Sequence, residues 1–155
     1  ISISEYSLYL KMKYCFADQI KNKRKTIVIL EDDVLLDKNI ENYLNICAFE
    51  FTKHCPKLDC LMIGTAFNFK SKYFKKNKII HFGNNQLTRC THAMMFSLEA
   101  AKKIYKNLER VNWPIDYKLN EIIIKESLKV AWAEPGLFQS SIFIGNKTSI
   151  FKVNH

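Results

Sequence analysis

The stretch that decides the fold is Thr26-Ile27-Val28-Ile29-Leu30-Glu31-Asp32-Asp33-Val34, a short apolar run that stops abruptly at three carboxylates. The run is continuous and rich in β-branched side chains, which favours a strand covered on both faces in a mostly parallel sheet. Ligands of open α/β sheets bind beyond the carboxyl ends of the strands. The acidic triplet is therefore the first candidate for a functional site.

The segments around this strand alternate between helical and strand-like patterns. Apolar residues recur at helical spacing in Leu8 to Ile20, Ile40 to Phe51, Leu98 to Leu108 after a capping Ser97, and Asp116 to Leu128 after Pro114. Strand-like runs are Cys60 to Ile63 ending at Gly64, His92 to Phe96, and Val130 to Ala133, after which Glu134-Pro135-Gly136 is expected to turn away. This alternation predicts one α/β domain over residues 1–155, with a Rossmann-type mixed, mostly parallel sheet and helices on both faces.

The charge of the chain is strongly positive and comes almost entirely from lysine. The formal net charge is +9, and Arg24, Arg89 and Arg110 are the only arginines. Lysine supplies a flexible point charge instead of the planar recognition of bases that arginine provides, so nucleic acid is not the expected partner. The positive charge of these lysines would attract an anionic ligand such as a nucleotide-sugar. The alternative is that the lysines only form a solvated surface.

The apolar content is distributed in short runs, far below the roughly 20 residues that span a bilayer, so no membrane span is expected. The five cysteines are odd in number, and Cys15 and Cys47 fall on apolar faces of predicted helices. Buried free thiols fit this pattern best, and they favour a reducing, cytoplasmic compartment.

The acidic triplet suits a divalent cation. In extended backbone Glu31 and Asp33 point one way and Asp32 the other, and the three carboxylates repel one another. Mg²⁺ or Mn²⁺, which prefer hard oxygen ligands, would relieve this repulsion and neutralise a diphosphate. Two alternatives stay open: the acids only begin a turn, or they bind metal in a phosphatase or nuclease.

The order of landmarks resembles glycosyltransferase family 25, which includes bacterial lipooligosaccharide galactosyltransferases and collagen galactosyltransferases. The landmarks are Glu31-Asp32-Asp33-Val34 after a strand, Gly64 at the end of the next strand, Thr91-His92-Ala93-Met94-Met95-Phe96-Ser97 before a helix, Pro114-Ile115-Asp116, and Glu134-Pro135 followed by Gln139-Ser140-Ser141. Members usually carry a strand and loop ahead of the first helix. We therefore expect either that this sequence is missing the N-terminal part of the nucleotide-binding region, or that the domain is a shortened relative with altered or lost activity.

The resemblance implies a GT-A-like fold and transfer of galactose or glucose, with inversion, from a UDP-sugar to a hydroxyl of a glycan, lipid-linked glycan or protein. It places Asp33 and Glu31 on Mn²⁺ or Mg²⁺, and Asp116 as the general base, although Asp116 is also positioned to cap a helix. The donor is expected to contact Glu31, Asp32, Gly64, Thr65 and Gln139.

The acceptor side is expected near the basic, aromatic stretch Phe69 to Lys78, with Tyr73, Phe74 and His92 as its residues. Sugar rings stack on aromatic side chains, and lysines attract charged groups. The alternative functions are an inactive or lysine-rich module that binds anionic polymers, and an acidic-site nuclease or phosphatase.

Overall fold

The computed structural model describes residues 2–36, 38–54, 57–64, 79–82, 91–109 and 113–137. In chain order these residues form α1 (Ile3–Lys21), β1 (Thr26–Leu30), α2 (Ile40–His54), β2 (Cys60–Gly64), β3 (Ile80–His81), β4 (Ala93–Ser97), α3 (Leu98–Asn107), α4 (Ile115–Lys125) and β5 (Val130–Leu137). Within these ranges, no helix is both long and apolar enough to cross a membrane.

The five strands form one mixed sheet in the order β1-β4-β2-β5-β3. Only β2 and β5 pair in parallel, whereas β4 is antiparallel to both of its neighbours and β3 is antiparallel to β5. The α/β class is confirmed, but the prediction of a mostly parallel sheet is wrong. A continuous apolar run indicates that both faces of a strand are covered. Because antiparallel strands can also be covered on both faces, the run does not reveal the direction of the strand.

Helices cover both faces of the sheet, as the sequence predicts. Alternate residues of β2 divide between two apolar clusters, with Met62 in one and Leu61 in the other. The first cluster contains residues of α1, α3 and α4, and the second contains Cys47 and Phe51 of α2. The central strands β2 and β4 are therefore completely buried between these layers.

The first strand differs from this arrangement because it lies at the edge of the sheet. Ile27 and Ile29 pack against the cluster that contains α1, whereas Val28 and Leu30 are 38% and 37% exposed. The prediction that this strand is covered on both faces is therefore wrong. Its five residues alone do not reveal which strands it pairs with, and an edge position leaves part of one face open.

A buried amide fixes the turn between α1 and β1. Nε2 of Gln19 donates to the carbonyl oxygens of Arg24 and Phe96, each at 3.2 Å, and the side chain is fully buried. These bonds join the end of α1 to the entry of β1 and to β4. The strand that carries the acidic triplet is thereby held in position against the sheet.

Two predicted element ends have different outcomes. Ser97 caps α3, as predicted, because its Oγ accepts the amide of Ala100 at 3.1 Å. Glu134-Pro135-Gly136 does not turn away, because all three residues lie inside β5. The pairing of β5 with β2 shifts register between Met62 and Gly64, and such an irregularity accommodates a proline, which lacks an amide hydrogen.

Candidate functional site

One edge of the sheet collects the residues that the sequence singles out. Because β4 is antiparallel to β1 and β2, and β5 is parallel to β2, the carboxyl ends of β1, β2 and β5 meet at the same edge. Glu31–Asp33 follow β1, Gly64 ends β2 and Leu137 ends β5. Thr91 and His92 lead into β4 at this edge, where ligands of open sheets bind.

Glu31 is held by both its backbone and its side chain. Its amide donates to the carbonyl oxygen of His92 at 2.8 Å, which adds one more bond beyond the regular β1–β4 pairing. The hydroxyl of Thr91 donates to Oε1 of Glu31 at 2.7 Å. Sequence patterns did not indicate Thr91 as a partner, because only the strand register places it beside Glu31.

The chain turns immediately after Glu31. The amide of Val34 donates to the carbonyl oxygen of Glu31 at 3.4 Å, which closes a four-residue turn. The triplet is therefore not extended throughout, so the alternation of side chains that extended backbone would give does not apply here. Glu31 and Asp32 both line one cleft.

The carboxylates are close enough to influence one another. Burial raises the pKa of Glu31, and the hydrogen bond from Thr91 lowers it in part. The negative charges of Asp33, Asp32 and Asp116 raise this pKa further, in that order. Asp116 is remote in sequence, yet it lies close enough to Glu31 to act on its carboxyl, so this edge of the sheet concentrates negative charge.

Asp116 lies in the first turn of α4 but is not its N-cap residue. The N-cap position is occupied by Pro114, and no side chain of the described residues caps the start of this helix. Oδ1 of Asp116 accepts the amide of Tyr117 at 2.9 Å, and the side chain is half-buried. The carboxylate therefore satisfies one helix amide through one oxygen, which leaves the capping alternative from the sequence only partly realised.

His92 lies beneath the edge, fully buried between the ends of β2 and β5. Its Nε2 is 2.8 Å from the carbonyl oxygen of Leu137 and its ring contacts Gly64. Because a carbonyl only accepts, Nε2 carries the hydrogen. Buried Nδ1 has no hydrogen-bond partner among the residues that the structure describes. Burial lowers the pKa of His92, while the bond to Leu137 and the charge of Asp33 oppose this shift.

A cleft of about 1060 Å³ opens between α1 and β1, next to the acidic edge. Its walls carry apolar residues of both elements, and Glu31 and Asp32 lie at the carboxyl end of the strand. Within the described part of the chain, the lining does not include Asp33 or Asp116. Of the four acidic residues at this edge, only Glu31 and Asp32 therefore line the cleft.

Several predicted site residues lie outside the described ranges. They are Thr65 and Gln139 on the donor side, and Tyr73 and Phe74 on the acceptor side. Among the residues that are described, no group of three histidine, cysteine, aspartate or glutamate side chains is arranged to hold a metal ion. Cys15, Cys47 and Cys60 are free thiols. Cys47 is buried, as the sequence predicts, and so is Cys60, whereas Cys15 is only half-buried.

Comparison with known proteins identifies a family. The family model of glycosyltransferase family 25 (LPS biosynthesis protein) matches residues 3–119, a span that contains the acidic triplet, Gly64, the Thr91–Ser97 segment and Asp116. The Glu134-Pro135 and Gln139-Ser140-Ser141 landmarks lie beyond this span. No curated protein matches the chain. Since the match covers most of the 155 residues, the chain belongs to glycosyltransferase family 25.

Proposed function

We propose that this chain is a metal-dependent, inverting glycosyltransferase that moves galactose or glucose from a UDP-sugar to an acceptor hydroxyl. Family membership supports sugar transfer. The observation that carries the finer proposal is the shared edge of the sheet at which Asp33, Asp32 and Asp116 all lie close enough to Glu31 to raise its pKa. The acceptor would be a hydroxyl of a glycan, a lipid-linked glycan or a protein.

The donor set at this edge fits Mn²⁺ or Mg²⁺. Its ligands would be the oxygens of Glu31 and Asp33, and hard divalent cations prefer oxygen. Mg²⁺ is usually held by one or two carboxylates together with substrate phosphates, so a complete protein cage is not required. When bound, the cation would supply positive charge to the leaving diphosphate.

The protein side chains have separate roles in this proposal. Thr91 holds the carboxylate of Glu31 in one orientation through its 2.7 Å bond. Asp32, which is exposed at the cleft, and the backbone at Gly64 are expected to contact the donor. Asp116 takes the proton of the acceptor hydroxyl through Oδ2, while Oδ1 accepts the amide of Tyr117 and fixes the carboxylate.

A GT-A-like arrangement and a cytoplasmic location complete the proposal. The mixed sheet with helices on both faces and the acidic residues after a strand support the first. The free thiols of Cys15, Cys47 and Cys60 support the second, because free thiols persist in a reducing compartment.

Thermal denaturation with UDP-, GDP- and CMP-linked sugars, with and without Mn²⁺, tests the class and the donor together. A ligand at about 100 times its Kd stabilises the folded state by roughly 2.7 kcal/mol, which raises the melting temperature by roughly 5 to 10 °C in a chain of this size. We expect this rise only with a UDP-sugar and Mn²⁺ together.

The matched variants are Asp33→Asn and Glu99→Gln. Asp33→Asn keeps the size of the side chain and removes the charge, so the Mn²⁺-dependent rise should disappear. Glu99 is an exposed acid in the first turn of α3, at the opposite edge of the sheet, and Glu99→Gln should keep the full rise. An equal rise in both variants would remove Asp33 from the metal site. Metal-independent, salt-sensitive binding of nucleic acid would instead favour a polyanion-binding module.

A further inference from the structure

Glu31 is held at two points by consecutive residues of the segment that enters β4. Its amide donates to the carbonyl oxygen of His92 at 2.8 Å, and the hydroxyl of Thr91 donates to its Oε1 at 2.7 Å. The backbone bond fixes the position from which the side chain starts, and the hydroxyl bond fixes one oxygen at its other end. The fold therefore sets the orientation of this carboxylate, as partners of a metal-binding carboxylate commonly do.

Thr91 is itself well fixed. Its side chain is buried, and it directly precedes His92, whose ring is bonded to Leu137 at the end of β5. A hydroxyl has one hydrogen to donate, and a hydrogen bond to a charged carboxylate is about twice as strong as one between neutral groups. Thr91 therefore acts on Glu31 from a position that the sheet determines.

The bond from Thr91 makes the two carboxylate oxygens of Glu31 chemically different. Oε1 accepts the hydroxyl hydrogen, whose partial positive charge opposes the approach of a cation to the same oxygen. This bond does not involve Oε2. A cation therefore binds more favourably at Oε2, and coordination through one oxygen of Glu31 is favoured over coordination through both.

Divalent cations differ in how they use a carboxylate. Ca²⁺ takes roughly six to eight oxygen ligands at about 2.3–2.6 Å and accepts both oxygens of one carboxylate. Mg²⁺ requires near-ideal octahedral geometry at about 2.0–2.1 Å, and the narrow angle between the two oxygens of one carboxylate does not suit an octahedron. A glutamate that offers one oxygen therefore favours Mg²⁺ over Ca²⁺.

We propose that Thr91 is a positioning residue that makes Glu31 coordinate a divalent cation through Oε2 alone, and that it thereby selects Mg²⁺ over Ca²⁺. The proposal rests on the metal-dependent function proposed above, in which Glu31 and Asp33 would be the ligands. Thr91 does not contact the cation and acts only through the carboxylate that it holds. The selection then lies in a residue from another strand, 60 positions away in the sequence.

Isothermal titration calorimetry with UDP tests the selection, at concentrations of Mg²⁺ or Ca²⁺ that saturate the nucleotide. UDP is the probe because its phosphates complete the coordination of the cation. For the natural chain we expect the Kd of UDP to be lower with Mg²⁺ than with Ca²⁺ by about tenfold or more, the factor that a hydrogen bond to a charged group contributes. The ratio of the two Kd values is the measure of selection.

Thr91→Val removes the hydroxyl and nearly keeps the shape of the side chain, so Glu31 can present both oxygens. We expect UDP to bind less tightly with Mg²⁺ but no less tightly with Ca²⁺, so that the ratio falls to about twofold. Thr91→Ser keeps the donor and should keep the preference for Mg²⁺. Thr52→Val is the matched control, because exposed Thr52 donates to the carbonyl oxygen of Ala48 within α2, and its ratio should equal that of the natural chain.

Melting temperatures show that each variant is folded, and Thr91→Ala removes the same hydroxyl if valine is not accommodated. The same ratio in the natural chain and in Thr91→Val, or a loss of affinity by the same factor with both cations, would overturn the selection by Thr91. A natural chain with no preference for Mg²⁺ would overturn it as well. If UDP binds no better with Mg²⁺ or Mn²⁺ than without a divalent cation, the metal dependence proposed above fails together with this inference.

Discussion

The imidazole of His92 lies so close to Gly64 that a Cβ atom on this glycine would overlap with Nε2. The same nitrogen is 2.8 Å from the carbonyl oxygen of Leu137. One buried ring therefore joins the ends of β2 and β5 to the start of β4, directly beneath the acidic residues. The absence of a side chain at position 64 is what permits this contact.

Gly64→Ala should destabilise the fold by about 1–3 kcal/mol, because the added methyl group forces the His92 ring away from Leu137. Urea denaturation measures the change. In a His92→Ala background the space is free, so Gly64→Ala should cost far less there, and the difference between the two backgrounds gives the coupling. An equal cost in both backgrounds would show that the ring is not the obstacle.

His92 should make the fold less stable in mild acid. Burial lowers the pKa of His92 below its ordinary value of 6.5, so the unfolded chain takes up a proton first. The free energy of unfolding should therefore fall as the pH drops through 6.5 towards the folded pKa. His92→Gln retains a side-chain amide that can donate to the carbonyl oxygen of Leu137. Because glutamine does not titrate, this variant should lose the part of the pH dependence that comes from His92. If the free energy of unfolding changes with pH in the same way in the natural chain and in His92→Gln, the effect does not come from His92.

Glu31 should make the stability of the fold change with pH in the opposite direction. Its pKa in the folded state is raised above the ordinary 4.5, so the folded chain holds the proton more tightly. The stability contributed by protonated Glu31 is present below pH 4.5 and is lost as the pH rises through the folded pKa. Glu31→Gln keeps an oxygen that accepts from Thr91. This variant should be more stable than the natural chain near pH 7 and comparable near pH 4.

Melting temperatures across pH 4 to 8, in the absence of metal, measure the Glu31 effect. Glu99→Gln is the matched control, because Glu99 is exposed at the far edge of the sheet. A gain in stability that is the same at every pH for Glu31→Gln would assign the effect to packing instead of charge. Added Mn²⁺ should reduce the advantage of Glu31→Gln, since a bound cation stabilises the carboxylate.

Local features of the fold were predictable from the sequence. The apolar run at Thr26–Leu30 gives β1 its bounds, and Ser97 marks the start of α3. Strand order and direction depend on contacts between distant segments, which explains why β4 between β1 and β2 was not foreseen. β3 was missed because two residues, Ile80 and His81, are too few to show a period.

The site was predictable to a similar extent. The acidic triplet stands out because three carboxylates follow an apolar strand, but the turn that Val34 closes depends on how the ladder with β4 ends. Thr91 has no motif of its own, and its bond to Glu31 follows from register alone. The role of Gly64 likewise becomes apparent only when His92 is placed against it.

Asp116→Asn should lower the turnover of sugar transfer by on the order of a hundredfold or more, because an amide cannot take the proton of the acceptor hydroxyl. The substitution separates this role from helix stabilisation. Asparagine keeps an oxygen that accepts the amide of Tyr117, so the first turn of α4 should persist and the melting temperature should change little.

The kinetic pattern decides the role of Asp116. A group needed only in the transition state lowers kcat and kcat/KM together, while Mn²⁺-dependent binding of the donor stays intact. Glu121 lies on the same helix and pairs with Lys118, so Glu121→Gln controls for loss of a carboxylate from α4. If Asp116→Asn melts early but keeps its turnover, Asp116 supports the helix, and another group at the acidic edge must accept the proton.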